Sequence, residues 1–172
     1  MDLQTLETSM IYASPVGDLL LTRDGTALTG LIFLEADDPL SRTESRVQND
    51  SMLSFEEDTF AEVTTQLDEY FAEKRQAFHF ESLAIQPEGT AFQKRVWQEL
   101  CHIPYGETIS YGELARRIGQ PTASRAVGLA NGRNPISILI PCHRVIGTNG
   151  KLVGYGGGLD RKRKLLEIEH AI

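Results

Sequence analysis

The first third of this 172-residue chain shows short runs in which apolar residues cluster or alternate with polar ones. The runs MIYASP, DLLLT and LTGLIFL, all within residues 9–34, predict three β-strands. An Asp-Gly pair at Asp24 and Gly25 separates two of them and predicts a hairpin turn. Residues 37–52 are polar and irregular, and they predict an exposed loop.

The pattern changes to helical spacing near residue 54. Ser54 and Glu57 have the spacing of a capping box, which predicts the start of a helix. Apolar residues then recur three and four positions apart, and they predict the buried face of that helix: Phe60, Val63, Leu67, Tyr70 and Phe71. The segment AFHFESL (77–83) alternates again and predicts a returning strand.

The second half of the chain has mainly helical signals. Thr90 and Gln93 form one capping box, and Ser110 and Glu113 form another. After a short break, TASRAVGLANG (122–132) predicts a further helix, so that two short helices flank a tight turn. This arrangement is the outline of a helix-turn-helix. A glycine-rich loop, GYGGG, and a closing helix from Asp160 complete the pattern.

Charge and composition narrow the class of protein. Residues 1–90 carry 5 Lys and Arg against 18 Asp and Glu, whereas residues 91–172 carry 12 against 6. A basic second half predicts an anionic partner on one side of the molecule, with an uneven but idle surface as the alternative. The change in composition and charge near residues 85–90 predicts two domains, 1–88 and 89–172. Strand signals in the first part and mainly helical signals in the second predict an α+β fold.

Membrane and disulfide-rich classes are disfavoured. No apolar run approaches the roughly 20 residues of a membrane helix. The first residues show no basic region followed by an apolar stretch, and only Cys101 and Cys142 are present. We therefore expect no membrane association and a reducing, cytoplasmic location. Cys101 is expected to be a spare, partly buried thiol.

Four roles compete for Cys142, which stands beside His143 and Arg144 in ILIPCHRV. It could be a buried structural thiol, a zinc ligand, the nucleophile of a cysteine hydrolase, or a thiolate that accepts a group permanently. No other Cys or His lies at zinc-ligand spacing, which argues against a metal. If the thiolate is required, His143 or Arg144 could supply a neighbouring positive charge. The tetrapeptide alone leaves the choice open.

The helix predicted at 122–133 is unusually rich in small residues. These residues suit either tight packing against another helix or a slim face that enters a groove of DNA: Ala123, Ser124, Ala126, Gly128 and Ala130. Arg125 projects from this helix and Arg133 closes it. The near absence of Asn and Gln suits backbone contact better than reading of base edges.

Residues 90–169 resemble the O6-alkylguanine-DNA alkyltransferase family, the methylated-DNA–protein-cysteine methyltransferases. The resemblance runs through FQKRVWQEL, IPYGETISYGELA, ASRAVGLANGRNPISILIPCHRVIG, GYGGGLDRK and LLEIE. It implies a small N-terminal α/β domain of the ribonuclease H-like type, followed by a mainly helical DNA-binding domain with a helix-turn-helix. It also implies single-turnover DNA repair, in which the protein's own cysteine takes the alkyl group irreversibly.

The resemblance assigns the catalytic roles by position. Cys142 is the nucleophile, and a water, His143 and Glu169 form the relay that removes its proton. Tyr111 turns the 3′ phosphate and protonates the leaving guanine. Asn134 ties the recognition helix to the active-site turn.

DNA contacts follow in the same way. The second helix is expected in the minor groove of double-stranded DNA containing O6-alkylguanine, with Arg125 filling the gap left by the extruded base. The base pocket is formed by the carbonyls of Cys142 and Val145, by Tyr155, and by Gly156 and Gly157. Gly156 stands where some relatives carry serine.

The resemblance implies a monomeric protein that needs no cofactor, because the lesion carries the group to be transferred. The zinc ligands of certain N-terminal domains in the family have no counterpart here, so we expect no metal. The resemblance leaves open whether O4-alkylthymine is also repaired. A non-catalytic protein that binds alkyl lesions, or a helix-turn-helix regulator, is the alternative, but such lesion sensors lack the nucleophilic cysteine that is present here.

Overall fold

A computed structural model describes residues 7–35 and 53–172, with the side chains of residues 8–35 and 60–172. Within it the chain divides into two compact units, Met1–Gln86 and Pro87–Ile172. The loop predicted at 37–52 lies outside the described residues, and so do the side chains of Ser54 and Glu57. No helix in the described part of the chain is long and apolar enough to cross a membrane.

The first unit contains an antiparallel sheet of three strands in the order β1-β2-β3. Strands β1 (Glu7–Ser14), β2 (Gly17–Asp24) and β3 (Ala27–Phe33) follow one another as hairpins. Gly25 adopts a φ of 57°, the left-handed conformation that the predicted turn requires. The three strands and the Asp-Gly turn predicted from the sequence are confirmed.

Helix α1 (Leu53–Phe71) packs against this sheet and supplies four buried side chains to the apolar core of the first unit, beside those of the strands. The side chains at helical spacing are buried as predicted, apart from Phe71, which is half-buried. Tyr12 of β1 donates a hydrogen bond of 2.6 Å to Asp68, and its ring stacks on Phe71. Helix and sheet therefore share one hydrophobic layer.

The prediction of a strand at residues 77–83 is wrong. Residues Phe80–Leu83 form a single helical turn, α2, and only Leu83 of this segment is buried. The N–H of His79 donates to the side chain of Gln66 in α1 at 2.9 Å, so a neighbouring helix takes the place of a strand partner. Sheet pairing resumes only at Ile85, which forms a parallel bridge with Leu28.

The second unit is mainly helical. Its elements are α3 (Ala91–Leu100), β4 (Ile109–Ser110), α4 (Tyr111–Arg117), α5 (Ser124–Gly132), β5 (Val145–Ile146) and α6 (Leu159–Ile168). The Thr90–Gln93 capping box is present in full, and the Ser110 hydroxyl accepts from the N–H of Glu113. Helices α3, α4 and α5 pack against one another.

A buried hydrogen bond connects the helices of this unit. The indole N–H of Trp97 in α3 donates to the carbonyl of Ala130 in α5 at 2.8 Å. Arg95 reaches the carbonyl of Ile118, at the end of α4, at 2.6 Å. The first contact holds α5 against α3, and the second holds the end of α4 against α3.

Candidate active site

Cys142 opens a short 3₁₀ turn, Cys142–Arg144, at the end of a buried apolar segment. Pro141 is the centre of a γ-turn, in which the N–H of Cys142 donates to the carbonyl of Ile140 at 2.8 Å. Beyond the 3₁₀ turn, Val145 pairs with β4 in a short parallel ladder. The cysteine is thus held on both sides by backbone hydrogen bonds, and only 4% of it is exposed.

Asn134 connects the end of α5 to the cysteine turn. Its Nδ2 donates to the carbonyl of Ile140 at 2.7 Å and to Sγ of Cys142 at 3.1 Å. Its Oδ1 accepts from the N–H of Ile136 at 3.0 Å. An N–H donor directed at sulfur favours the thiolate over the thiol, because the anion is the stronger acceptor.

His143, Glu169 and Arg144 form a buried cluster beneath the turn. Nε2 of His143 lies 2.7 Å from Oε1 of Glu169. The guanidinium of Arg144 contacts both carboxylate oxygens, at 2.8 and 2.9 Å, and also donates to the carbonyl of Ile103 at 2.6 Å. Glu169, which caps the end of α6, is therefore held by two partners on the same turn.

The charges of this cluster follow from its burial. Burial alone would raise the pKa of Glu169, but the hydrogen bonds and charges of His143 and Arg144 hold that pKa well below its usual range. Burial lowers the pKa of His143 despite the neighbouring carboxylate, so the imidazole is neutral at pH 7. A carboxylate can only accept, so Nε2 carries the proton and Nδ1 is left as a base. Nδ1 is buried and has no hydrogen-bond partner among the described residues.

The thiol of Cys142 is influenced by opposing effects. Burial raises its pKa, whereas the hydrogen bond from Asn134 and the positive charge of Lys162 act to lower it. Arg144, which the sequence offered as a cation for the thiolate, is engaged with Glu169 instead. The cation that acts on this sulfur comes from helix α6.

Tyr111 stands at the first position of α4 and contacts the loop that precedes α6. Its hydroxyl lies 3.0 Å from the carbonyl of Val153 and 3.2 Å from that of Gly154. A Cβ added to Gly128 of α5 would lie 3.7 Å from its ring, so the small residue leaves room for the aromatic side chain. Burial, and then the charge of Cys142, raise the pKa of Tyr111, which keeps the phenol protonated.

The glycine-rich loop also lies close to the cysteine. Burial raises the pKa of Tyr155 well above its usual value, and the charge of Cys142 acts in the same direction. A Cβ on Gly156 would lie 3.5 Å from the carbonyl of Gly132, at the end of α5. Gly157 accepts a hydrogen bond of 3.2 Å from Arg161. The loop thus passes between the end of α5 and the start of α6.

Helix α5 buries one face and exposes the other. Val127, Ala130 and Asn131 are buried, whereas Arg125 and Arg133 are exposed. Ala126 is exposed, and Ala123, Ser124 and Gly128 are half-buried. Leu129 stands one turn after Arg125 with 65% of its surface exposed. The outer face is therefore narrow and positively charged, with one prominent apolar side chain.

Two family models cover almost the whole of this architecture. Residues 9–85 match the ribonuclease-like domain of 6-O-methylguanine DNA methyltransferase, and residues 91–171 match its DNA binding domain. The chain belongs to the methylated-DNA–protein-cysteine methyltransferase family. The resemblance and the fold class predicted from the sequence are confirmed.

Relatives agree with this assignment along most of the chain. The methylated-DNA–protein-cysteine methyltransferase of Methanosarcina acetivorans is 49% identical over 92% of this chain and 96% of its own length. The crystal structure of the O6-methylguanine methyltransferase of Mycobacterium tuberculosis is 47% identical and superposes with a TM-score of 0.79, covering 96% of this chain and 94% of that one. A structure of M. tuberculosis OGT in complex with DNA has a TM-score of 0.76, at 47% identity over 94% and 91% of the two chains.

Membership of the methylated-DNA–protein-cysteine methyltransferase family makes the protein an enzyme of DNA repair that acts by alkyl transfer.

Two buried residues near Cys142 were not identified from the sequence. Lys162 lies in the basic run RKRK and is fully buried, and Asn131 donates to the carbonyl of Cys142 at 3.3 Å. A signal for Lys162 was present, because it begins an i, i+3, i+4, i+7 series with three other residues that are also buried: Leu165, Leu166 and Glu169.

Cys101 is half-buried, as predicted, and burial raises the pKa of its thiol to about 11. Among the residues that the structure describes, no group of three or more His, Cys, Asp or Glu side chains could hold a metal ion.

Proposed function

We propose that this protein repairs O6-alkylguanine in double-stranded DNA by moving the alkyl group irreversibly to Cys142. The observation that carries the proposal is the arrangement around one sulfur. Sγ receives a hydrogen bond from Asn134, and the adjacent His143 is a neutral imidazole whose proton position is fixed by Glu169. A structural thiol would need neither of these neighbours.

The chemical step is a displacement at the alkyl carbon. The thiol proton passes through a water to Nδ1 of His143, and Glu169 stabilises the imidazolium that forms. The thiolate attacks the alkyl carbon, the new S–C bond forms as the C–O6 bond breaks, and the electron pair moves to O6 of guanine. Tyr111 gives its proton to the leaving guanine. The product thioether is stable, so each molecule reacts once.

The base must leave the duplex before the sulfur can reach it, since O6 lies within the base stack. Extrusion of a base costs about a few kcal/mol. Arg125, on the exposed face of α5, fills the gap, and the small residues of this helix let its backbone approach the minor groove. Carbonyls of Cys142 and Val145 accept from the guanine amino group. The carbonyl of Val145 already accepts from Lys162, and that of Cys142 accepts from Asn131 and from the backbone N–H of Val145, so the guanine amino group shares them with these donors.

Tyr155, Gly156 and Gly157 form the wall on the other side of the base. The exposed face of α5 carries positive charge, as expected for a helix that lies against phosphates. A DNA complex of the M. tuberculosis relative, at 47% identity, supports binding of DNA by this chain. We expect the protein to act as a monomer, without cofactor or metal.

The test is to incubate the protein with a duplex that carries one O6-methylguanine and to measure its mass. We expect a gain of one methyl group on Cys142, and no gain in Cys142→Ser. Cys101→Ser is the matched control and should still gain the methyl group. A wild-type protein that binds the lesion without gaining mass would be a lesion-binding protein, and the proposal would be wrong.

A further inference from the structure

Lys162 is a buried lysine that the proposed chemistry does not use. Its side chain has no exposed surface, although lysine is almost never fully buried without a partner. Nζ donates to the carbonyl of Val145 at 2.5 Å and to the carbonyl of Val153 at 2.9 Å. Burying an ammonium group is unfavourable, so a lysine in this position calls for a physical reason.

The two carbonyls belong to two different segments near Cys142. Val145 follows the 3₁₀ turn that carries Cys142, and Val153 lies in the loop that the Tyr111 hydroxyl also contacts. Nζ lies 5.9 Å from the centre of the Tyr111 ring and 6.0 Å from that of Tyr155. A single ammonium group therefore joins the turn and the loop, and it sits beside both tyrosines.

The positive charge of Lys162 acts on the sulfur of Cys142. The positive charge of Lys162 acts to lower the pKa of Cys142, and the thiolate in turn acts to raise the pKa of Lys162. Burial is the larger influence on the lysine and lowers its pKa to about 8, so Nζ is charged at pH 7. Tyr111 and Tyr155 also face the sulfur, and both stay neutral because burial raises their pKa.

We propose that Lys162 is a positioning residue for the alkyl transfer. Its ammonium group holds the turn that carries Cys142 and the loop at Val153 together, and its buried positive charge stabilises the Cys142 thiolate. The role rests on the function proposed above. The other charged groups nearby cannot replace it, because Arg144 and Glu169 neutralise each other and His143 is neutral before the reaction.

The test measures the reactivity of Cys142 without DNA. Iodoacetamide alkylates thiolates, and the tryptic peptide Asn134–Arg144 reports on Cys142 separately from the peptide that contains Cys101. Alkylation rates are recorded from pH 6 to 10 for wild type, Lys162→Met, Lys162→Arg and Lys164→Met. Lys164 is an exposed lysine on the same helix, so its variant matches the change in net charge.

We expect Lys162→Met to lower the rate below pH 8 by about tenfold, the equivalent of one pKa unit on the thiol. The difference should vanish above pH 8 to 9, where Nζ of the wild type has lost its proton. Lys162→Arg should restore part of the rate below pH 8, and Lys164→Met should follow the wild type. A Lys162→Met profile that matches the wild type, or one reduced by the same factor at every pH, overturns the proposal.

A second measurement covers the case in which Lys162→Met does not fold. The Nζ group of Lys162 is titrated by NMR in the wild type and in Cys142→Ser. We expect a lower pKa in Cys142→Ser, because the thiolate that favours the ammonium is gone, and an unchanged pKa overturns the inference. Failure of the wild type to take a methyl group from DNA would instead contradict the proposed function.

Discussion

Replacing Glu169 by Gln tests whether the buried cluster beneath Cys142 depends on one negative charge. The carboxylate is 1% exposed and accepts from His143 at 2.7 Å and from Arg144 at 2.8 and 2.9 Å. The amide keeps one acceptor oxygen and loses the charge. Arg144, 6% exposed, is then left without its counter-ion in the protein interior.

The expected loss of stability can be worked from this geometry. Removing one partner of a buried ion pair costs about 3–5 kcal/mol, and the retained oxygen places this variant near the lower end. About 3 kcal/mol corresponds to a fall of roughly 6–12 °C in Tm for a chain of this size. Urea unfolding at pH 7 gives the free energy of unfolding directly.

The matched control is Glu167→Gln, the same chemical change on an exposed residue two positions earlier in α6. It should change the free energy of unfolding by about 0.5 kcal/mol or less. If Glu169→Gln were no less stable than Glu167→Gln, Arg144 would not depend on the carboxylate, and the account of the cluster would be refuted.

The lowered pKa of Glu169 predicts that the stability of the protein depends on pH. Its pKa in the folded protein lies below the ordinary value of 4.5, because His143 and Arg144 outweigh burial. The stabilisation is therefore present above pH 4.5 and is lost as the pH falls towards the lowered folded value. Between pH 7 and pH 3 the gap between wild type and Glu169→Gln should narrow, and a constant gap would contradict the lowered pKa.

Three further predictions concern single residues. Asn134→Ala removes the hydrogen bond of 3.1 Å to Sγ together with those that Asn134 makes to the carbonyl of Ile140 and the N–H of Ile136. It should lower alkylation of Cys142 at pH 7.5 by about tenfold or more, given roughly 1.5–3 kcal/mol for a hydrogen bond to a charged group; an unchanged iodoacetamide rate would refute the contact with Sγ. Arg125→Ala should slow repair of duplex DNA by about tenfold or more while leaving transfer from free O6-benzylguanine unchanged, since extrusion costs about a few kcal/mol; equal slowing of both would remove the proposed role of Arg125. Thr90→Ala breaks the capping box of α3 and should cost about 1 kcal/mol in urea unfolding, whereas Thr90→Ser should stay near wild type.

The sequence was sufficient to predict the elements that are determined by residues only a few positions apart. The Asp24-Gly25 turn formed because glycine adopts the positive φ that the hairpin needs, and the Thr90–Gln93 box formed because its partners are three residues apart. The motif around Cys142 was also specific enough to indicate the family from the sequence alone.

Contacts between distant segments decided what the sequence could not. Residues 77–83 have a strand-like alternation, yet the side chain of Gln66 takes the N–H of His79 and a helical turn follows. Helical spacing carried a signal that Lys162 lies on the buried face of α6, but its place beside Cys142 follows from the packing of α6 against the cysteine turn. Turn and cap preferences act over a few residues, whereas the environment of a charge depends on every segment that surrounds it, so only the tertiary structure placed this cation beside the thiol.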